Sequence, residues 1–337
     1  APFSAVSFSG TCNDGFLVAE DSCIISIRFA PTLAGEFSQE INIDGFKTST
    51  SGKGLLDGFM TLDITNINLG SIVAGDSFRQ NIIISNEGDL IIDAPSFDLP
   101  SGVVLGLNTC ESFISPKKSC EVALDIRILN SGIYNKSVKL NSGGNNTQID
   151  ISASVSPDDP DGVISFVSTP TSLAADGTTR STIQTREIRD SYGNIVEDGS
   201  VVTVSGTNLK FPNGRTFSTV NGIVSFEVES TTSRGVSTVS VLSGQAAGFF
   251  SFLLTAGEPY GAFSLEFNYV NQIIANGVSQ TVFRFHNIRD QFDNTVEDGT
   301  KIYFNLVGNG TLSSNEVLVS IGKAELILTA PTVKGSS

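Results

Sequence analysis

The chain has 337 residues, which is enough for two to four domains. Its 35 acidic and 20 basic residues leave a formal net charge of −15, and such a surface repels phosphate backbones and anionic lipid headgroups. We therefore expect no nucleic-acid partner. No apolar run approaches the ~20 residues of a spanning helix, so we expect no membrane span in the visible chain. Val, Ile, Phe, Thr and Ser predominate over helix-forming residues, which predicts an all-β protein.

The N-terminal half of the chain repeats itself with an offset of 97 residues. CIISIRFAPTLAGEF, beginning at Cys23, corresponds to CEVALDIRILNSGIY, beginning at Cys120, and apolar residues alternate in the same phase in both. Alternation with a period of two predicts strands with one buried face. The second copy has opening strands that the first lacks. We therefore predict a partial domain over 1–56 and a complete domain over 57–157.

The four cysteines fall into two close pairs, Cys12 with Cys23 and Cys110 with Cys120. The sequence has no C-x-x-C motif and a single histidine, so zinc ligation is poorly supported. Paired cysteines at repeated positions indicate two local disulfides and an oxidising compartment. Closing a loop of about ten residues contributes about 2–3 kcal/mol. Four reduced cysteines in the cytosol are the alternative.

These N-terminal repeats resemble the abnormal-spindle and hydin type of Ig-like repeat. They also resemble the choice-of-anchor domains of bacterial secreted proteins. The shared signature is G…SNEGD…C…SC…F.P…G, which fits 57–157 well and fits 1–56 well over the half that is present. The resemblance implies immunoglobulin-like β-sandwiches, and its bacterial secreted members commonly carry paired cysteines, which supports the disulfide interpretation.

The stretch SPDDPDGV, residues 156–163, joins the two halves of the chain and carries three closely spaced carboxylates, Asp158, Asp159 and Asp161. Carboxylate oxygens are hard ligands suited to Ca²⁺, so these residues are candidate calcium ligands. The alternative, which the composition favours, is a solvated Pro/Asp linker. No other cofactor is predicted.

The C-terminal half has a second repeat, with an offset of 100 residues. IRDSYGNIVEDG at 188–199 and IRDQFDNTVEDG at 288–299 agree at eight of twelve positions. Asp and Asn side chains bond nearby backbone and tolerate left-handed conformations, so we predict a turn after a strand that ends at Ile188 or Ile288. The predicted turn residues are Asp190, Asn194, Asp198, Gly199, Asp290, Asn294, Asp298 and Gly299.

This C-terminal pattern, DG…T…I.D.YGN.V.DG…V followed by NG…F.V.S, resembles the bacterial Ig-like domains of the invasin and intimin adhesins. The resemblance implies two further sandwiches, one of about 100 residues at 158–257 and one at 258–337 that is incomplete at its C-terminal end. The chain departs from that pattern at Ile195 and Thr295, where proline is common, and at Asp293, where glycine is common. These departures are turn adjustments, and no receptor-binding activity is carried over.

Catalytic chemistry has little support in the sequence. The lone histidine, His286, alternates with an inward position and is predicted to lie on a solvated outer face. A serine or cysteine triad needs a base beside its nucleophile, and the repeated carboxylate pair Glu197 and Asp198 is explained by a turn. We therefore predict that the protein is not an enzyme.

Four Ig-like sandwiches in tandem predict an elongated rod. The leading hypothesis is a structural stalk segment of a bacterial cell-surface or secreted adhesin-like protein, cut at both ends from a longer chain. Its partners would be other domains or copies of that protein, a receptor or a glycan. One alternative is a subunit of an extracellular filament or sheath, assembled through lateral or strand-exchange contacts. Another is a glycan- or protein-binding module, which the absence of Trp disfavours.

Overall fold

The structure is a computed structural model that describes residues 2–10, 19–43, 45–267 and 272–333. The chain divides into two compact units, Ala1–Ser156 and Pro157–Ser337. This division lies one residue from the predicted boundary at 157/158, while the finer four-domain division stays a prediction. The elements of the described ranges are β-strands, which confirms the all-β class. Within those ranges, no helix is long and apolar enough to span a membrane.

The N-terminal unit begins with two antiparallel strand pairs, called here the first sheet pair. Its strands are β1 (Phe3–Gly10), β2 (Cys23–Phe29), β3 (Gly35–Ile43) and β4 (Phe46–Gly54). β1 pairs with β2, and β3 pairs with β4. The ring of Phe29 contacts those of Phe3 and Phe37, with centroids 4.7 Å and 6.1 Å away. A Cβ at Gly52 would lie 2.9 Å from the Phe29 ring, so this close approach requires glycine.

The rest of the N-terminal unit is a sandwich of two sheets, called the second sandwich. Its strands are β5 (Met60–Leu62), β6 (Asn66–Val73), β7 (Ser77–Asn86), β8 (Ile92–Asp93), β9 (Ser96–Asp98), β10 (Val103–Asn108), β11 (Phe113–Ile114), β12 (Ser119–Arg127), β13 (Gly132–Ser142) and β14 (Asn145–Ser156). The sheet orders are β10-β12-β7-β5 and β6-β14-β13-β9, with a separate β11-β8 pair. Alternate residues of the long strands fill the core, and each fully buried Ile or Leu contributes about 1.5–3 kcal/mol.

The C-terminal unit opens with the third sandwich. Its strands are β15 (Phe166–Thr169), β16 (Ser172–Ala174), β17 (Arg180–Thr185), β18 (Val201–Gly206), β19 (Leu209–Lys210), β20 (Thr216–Ser218), β21 (Ser225–Ser230), β22 (Gly235–Ser243) and β23 (Ala246–Thr255). The sheet orders are β15-β17-β21-β19 and β16-β23-β22-β18-β20. One continuous core joins the two sheets and includes Ile183, Phe226, Val239, Val241, Phe252 and Leu254.

Both sandwiches have immunoglobulin topology. In the second and the third sandwich, the opening segment contributes one strand to each of the two sheets. The later of these strands, β6 or β16, runs parallel to the last strand of its sandwich, β14 or β23. With strands lettered in the immunoglobulin manner, one sheet has the order A–B–E–D and the other contains G–F–C. This shared topology confirms the Ig-like sandwich for these two regions.

The C-terminal unit continues into the fourth sheet pair. Its strands are β24 (Ser264–Phe267), β25 (Gln280–His286), β26 (Lys301–Tyr303), β27 (Thr311–Leu312), β28 (Glu316–Leu318) and β29 (Ala324–Thr329). The order β24-β25-β29-β27 repeats that of β15-β17-β21-β19, and β26 pairs with β28. Phe285 lies at its core and contacts the rings of Phe263 and Phe304, at centroid distances of 5.4 Å and 4.8 Å.

Candidate functional site

The repeated turn is organised by one buried carboxylate. Asp190 is 4% exposed, and its Oδ1 accepts hydrogen bonds from the backbone N–H groups of Tyr192 (2.9 Å) and Asn194 (2.8 Å). Its Oδ2 accepts a third bond, from Asn194 Nδ2, at 2.8 Å. An aspartate that bonds the backbone two and four residues ahead closes a compact turn. The predicted turn role of Asp190 and Asn194 therefore has a specific geometry.

A fourth hydrogen bond ties this turn to the segment that enters the third sandwich. Asp190 Oδ2 also accepts from the backbone N–H of Asp158, at 3.0 Å. The Arg189 carbonyl accepts from the N–H of Asp161, also at 3.0 Å. The entering segment is thus held through its backbone amides rather than through its carboxylates.

The second copy of the turn has the same bonds. Asp290 is 4% exposed, and its Oδ1 accepts from the N–H groups of Phe292 and Asn294, both at 2.9 Å. Its Oδ2 accepts from Asn294 Nδ2 and from the N–H of Gly257, again at 2.9 Å each. Gly257 lies between β23 and β24, so this turn holds the linker between the third sandwich and the fourth sheet pair.

The hydrogen bonds decide the ionisation of both aspartates. Burial alone would raise the pKa of Asp190. The bonds from the Asn194 side chain and from the amides of Asp158, Asn194 and Tyr192 outweigh it and hold the pKa of Asp190 below its usual value. The same balance lowers the pKa of Asp290, with Gly257 supplying the linker amide. Both side chains are carboxylates at neutral pH.

The second turn also contacts the loop between β21 and β22 of the third sandwich. The backbone N–H of Arg234 donates to Asn294 Oδ1 at 2.9 Å, and its guanidinium donates to the Thr295 carbonyl and to Glu297 Oε2, the latter at 3.1 Å. Asn294 Nδ2 donates in turn to the Thr232 carbonyl at 2.9 Å. We call this set of bonds, together with the bond from Gly257 to Asp290, the joint.

The remaining predicted turn residues support the next loop along each copy. Asp198 Oδ1 accepts from the Asn221 N–H, and Asp298 Oδ1 accepts from the Ile321 N–H, both at 2.6 Å. The N–H groups of Gly199 and Gly299 donate to the carbonyls of Thr219 (2.9 Å) and Val319 (2.8 Å), in that order. These bonds hold the two-residue turn that precedes β21 in one copy and β29 in the other.

The predicted strand ends at Ile188 and Ile288 are wrong. β17 ends at Thr185 and β25 at His286, and both isoleucines lie beyond those strands. Their N–H groups donate to the carbonyls of Gly222 (2.8 Å) and Gly322 (3.1 Å), and their side chains are buried. Apolar alternation continues past the strands because the isoleucines anchor the turn to the core.

A cavity of about 250 Å³ lies beside the joint, lined by Asp176, Tyr260, Phe292 and neighbouring residues. Asp176 accepts from the N–H groups of Thr178 and Thr179 and from the hydroxyls of Thr179 and Ser230. Burial alone would raise the pKa of Asp176, but the hydrogen bonds from Thr178 and Thr179 outweigh it and lower the pKa well below its usual range. The Asp176 carboxylate therefore holds the backbone of its own loop in place, as the Asp290 carboxylate does in the second turn.

Two of the three candidate calcium ligands accept hydrogen bonds from neighbouring backbone amides. Asp158 Oδ1 accepts from the Asp159 N–H at 2.8 Å, and Asp161 Oδ1 accepts from the Gly162 N–H at 2.7 Å. Among the described residues, no group of three or more His, Cys, Asp or Glu side chains is arranged to hold a metal ion. The geometry gives no positive indication of calcium.

The structure contains the predicted bond between Cys110 and Cys120, which joins the segment after β10 to β12. Cys23 is also disulfide-bonded, and Cys12, its predicted partner, lies outside the described residues. His286 points outward from β25, with its Nε2 3.2 Å from Glu266 Oε2 on β24. These positions place the histidine on an outer sheet face, in a surface pair.

No protein-family model and no curated protein matches the chain. Among solved structures, invasin, described as a bacterial integrin-binding protein, is 18% identical over 82% of this chain and 55% of its own, with a TM-score of 0.41. The D00-D0 domain of intimin is 16% identical over 58% and 100%, with a TM-score of 0.31. The Yersinia pseudotuberculosis adhesin InvE is 13% identical over 69% of each chain, with a TM-score of 0.26. The chain thus spans about half of the invasin structure, and the fold assignment rests on its own strand topology.

Proposed function

We propose that this chain is a non-enzymatic structural stalk segment of a bacterial cell-surface or secreted adhesin-like protein. One observation carries the proposal: each repeated turn uses a buried, ionised aspartate to hold the backbone of the segment that enters its own sheets. The second turn also holds the preceding sandwich through Arg234. A stalk segment sets the distance and direction between the domains at its two ends. It therefore requires domain junctions of fixed geometry and does not require a ligand pocket.

The energetics of the joint support this role. Bending at the linker would break the bond from Gly257 to a carboxylate that is already desolvated, and a hydrogen bond to a charged group contributes about 1.5–3 kcal/mol. Bending would also separate the Arg234 guanidinium from Glu297. The proposal also includes two expectations from the sequence. The N-terminal repeats are of the hydin type, and the protein has a receptor or glycan as a partner.

The test is a distance distribution across the joint. Spin labels attached through an unnatural amino acid at Ser225 of β21 and Thr311 of β27 leave the disulfides intact. Double electron–electron resonance should give one narrow distribution for the native chain. Arg234→Ala should broaden it, because the bonds from Arg234 to Thr295 and Glu297 are lost.

The matched control is Arg180→Ala. Arg180 pairs with Glu227 and Glu229 on an outer face of the third sandwich and makes none of the bonds of the joint, so its loss should leave the distribution unchanged. A native chain with a distribution as broad as that of a flexible linker would overturn the stalk proposal. Equal distributions for the native chain and Arg234→Ala would show that the bonds of Arg234 do not hold the two domains in a fixed arrangement.

A further inference from the structure

The five-stranded sheet of the third sandwich has an outer face without a single charged side chain. Its outward positions are the odd residues 247–255 of β23, the even residues 236–242 of β22 and the odd residues 201–205 of β18. The outward residues of the short edge strands β16 and β20 complete it. Apart from five large apolar side chains, these positions hold only Ser, Thr and Ala. We call this surface the charge-free face.

The apolar residues of the charge-free face are well exposed. Phe249 is 71% exposed, Val236 70%, Val201 58%, Leu253 52% and Leu242 46%. Val236 lies directly opposite Leu253 in the register of β22 with β23. Large apolar side chains that share one sheet face and remain exposed mark an interaction surface.

The opposite sheet of the same sandwich shows that the fold does not require this composition. Its outer face carries Arg180, which pairs with Glu227 (3.4 Å) and Glu229 (2.9 Å), and Lys210, which also pairs with Glu229 (3.1 Å). The protein thus concentrates charge on one side of the third sandwich and removes it from the other.

The topologically equivalent sheet of the second sandwich gives the same contrast. Its two central strands, β13 and β14, place Lys139, Gln148 and Asp150 at exposed outward positions. An ordinary solvated sheet face in this chain therefore carries charged and amide side chains. The charge-free face differs from it in composition and not in strand order.

We infer that the charge-free face binds the same face of a second copy of this chain. Two copies that each carry a net charge of −15 repel one another wherever carboxylates meet. On the charge-free face no like charges are brought together. Two sheets packed face to face with their side chains interdigitated are a standard solution for such surfaces. The pairing is two-fold symmetric, so each copy offers the same residues.

The size of the face sets the area that the pairing can bury. At ~3.3 Å per residue and ~4.8 Å between strands, the five strands present roughly 500 Å² of sheet surface. Two copies therefore bury roughly 1,000 Å² in total, the lower limit for a specific interface. An interface at that limit makes a weak, concentration-dependent pairing. It does not depend on the joint and adds lateral association to the proposed stalk.

Sedimentation equilibrium of the full, oxidised chain from about 5 to 500 μM tests this inference over the relevant range of affinity. The native chain should rise in weight-average mass from 35.5 kDa toward twice that value. Added salt should strengthen the association, because it screens the repulsion between two acidic copies. Phe249→Glu should weaken it at least tenfold, because it places one carboxylate of each copy in the interface.

The matched control is Gln184→Glu. It changes the net charge by the same single unit and lies at an exposed outward position of β17, on the opposite sheet. Gln184→Glu should associate as the native chain does. A native chain that stays monomeric at 500 μM in both low and high salt would overturn the inference and leave the face to a different uncharged partner. Unchanged association of Phe249→Glu would also overturn it, and neither result bears on the distances across the joint.

Discussion

The two copies of the turn carry different residues at the tip, yet Asp190 and Asp290 accept corresponding hydrogen bonds from their own turns. In the first copy Gly193 occupies the left-handed region at φ 87°, and in the second copy Asp293 occupies it at φ 69°. The carbonyl of each accepts a bond from the arginine four residues earlier, at 2.5 Å for Arg189 and 2.6 Å for Arg289. The buried aspartate and its amide donors therefore fix the turn, and the residue at its tip adapts to them.

The largest expected effect comes from removing the buried carboxylate in either copy. Asp290→Ala leaves the N–H groups of Phe292, Asn294 and Gly257 without their acceptor, which should cost about 2–4 kcal/mol. Asp190→Ala should cost about as much, since its bonds are the same. Hydrogen-exchange mass spectrometry on peptides covering 186–200 and 286–300 reads each turn locally, without assuming that the whole chain unfolds in one step.

Asp161→Ala is the control for these two variants. Asp161 is exposed, and its carboxylate accepts a single bond from its own neighbour Gly162, so the effect should stay below about 1 kcal/mol. Unequal protection losses in Asp190→Ala and Asp290→Ala would show that the two turns do not share one mechanism.

Acid should act on the same two groups, with a smaller effect. The pKa of Asp290 lies below its unfolded value near 3.8, so its contribution to stability is complete above that value. The contribution is lost as the pH falls through the lower, folded pKa. Asp290→Asn places a second amide donor against Gly257 and Asn294, so it should be less stable at pH 7.

The stability difference between the native chain and Asp290→Asn is the quantity to follow from pH 7 to pH 2. It should stay constant down to about pH 4.5 and shrink below pH 3.8, because the aspartate of the unfolded chain then binds a proton that the folded turn does not. Other carboxyl groups with a lowered pKa, such as Asp176, titrate in both proteins, so their contribution to stability cancels in the difference. A difference that stays constant to pH 2 would show that charge plays no part in the turn.

The sequence was sufficient to predict the buried faces of the strands and the presence of the turn, but not where the strands end. Period-two alternation gives the buried faces directly, and Asp190 bonds residues two and four positions ahead, so its partners lie within the quoted motif. Ile188 was misassigned because the same alternation also describes a residue that anchors a loop to the core.

The joint itself could not be predicted from the sequence. Arg234 bonds residues 60 to 63 positions away, and no local pattern links TSRG to DNTVE. The repeat keeps a basic residue at the corresponding position, Lys334, which was the only available signal. The sequence suggests a role for the carboxylate of Asp158, whereas Asp190 accepts a hydrogen bond from the backbone amide of Asp158. Every residue except proline has such an amide, so the sequence does not indicate which one is used.

The smallest expected effect concerns the tip of each turn. Gly193→Ala should cost about 1–2 kcal/mol in the first turn, because a Cβ in the left-handed region crowds the backbone carbonyl. Asp293→Gly should stabilise the second turn by less than about 1 kcal/mol. Aspartate tolerates that region better than alanine, and glycine loses more conformational freedom on folding. Exchange protection of peptides 186–200 and 286–300 measures both changes.

If Gly193→Ala leaves the exchange protection of its turn unchanged, the turn accommodates a Cβ at position 193 without a loss of stability. If Asp293→Gly loosens the second turn, the exposed pair of Asp293 with Arg289, 3.3 Å apart, contributes more than surface pairs usually do.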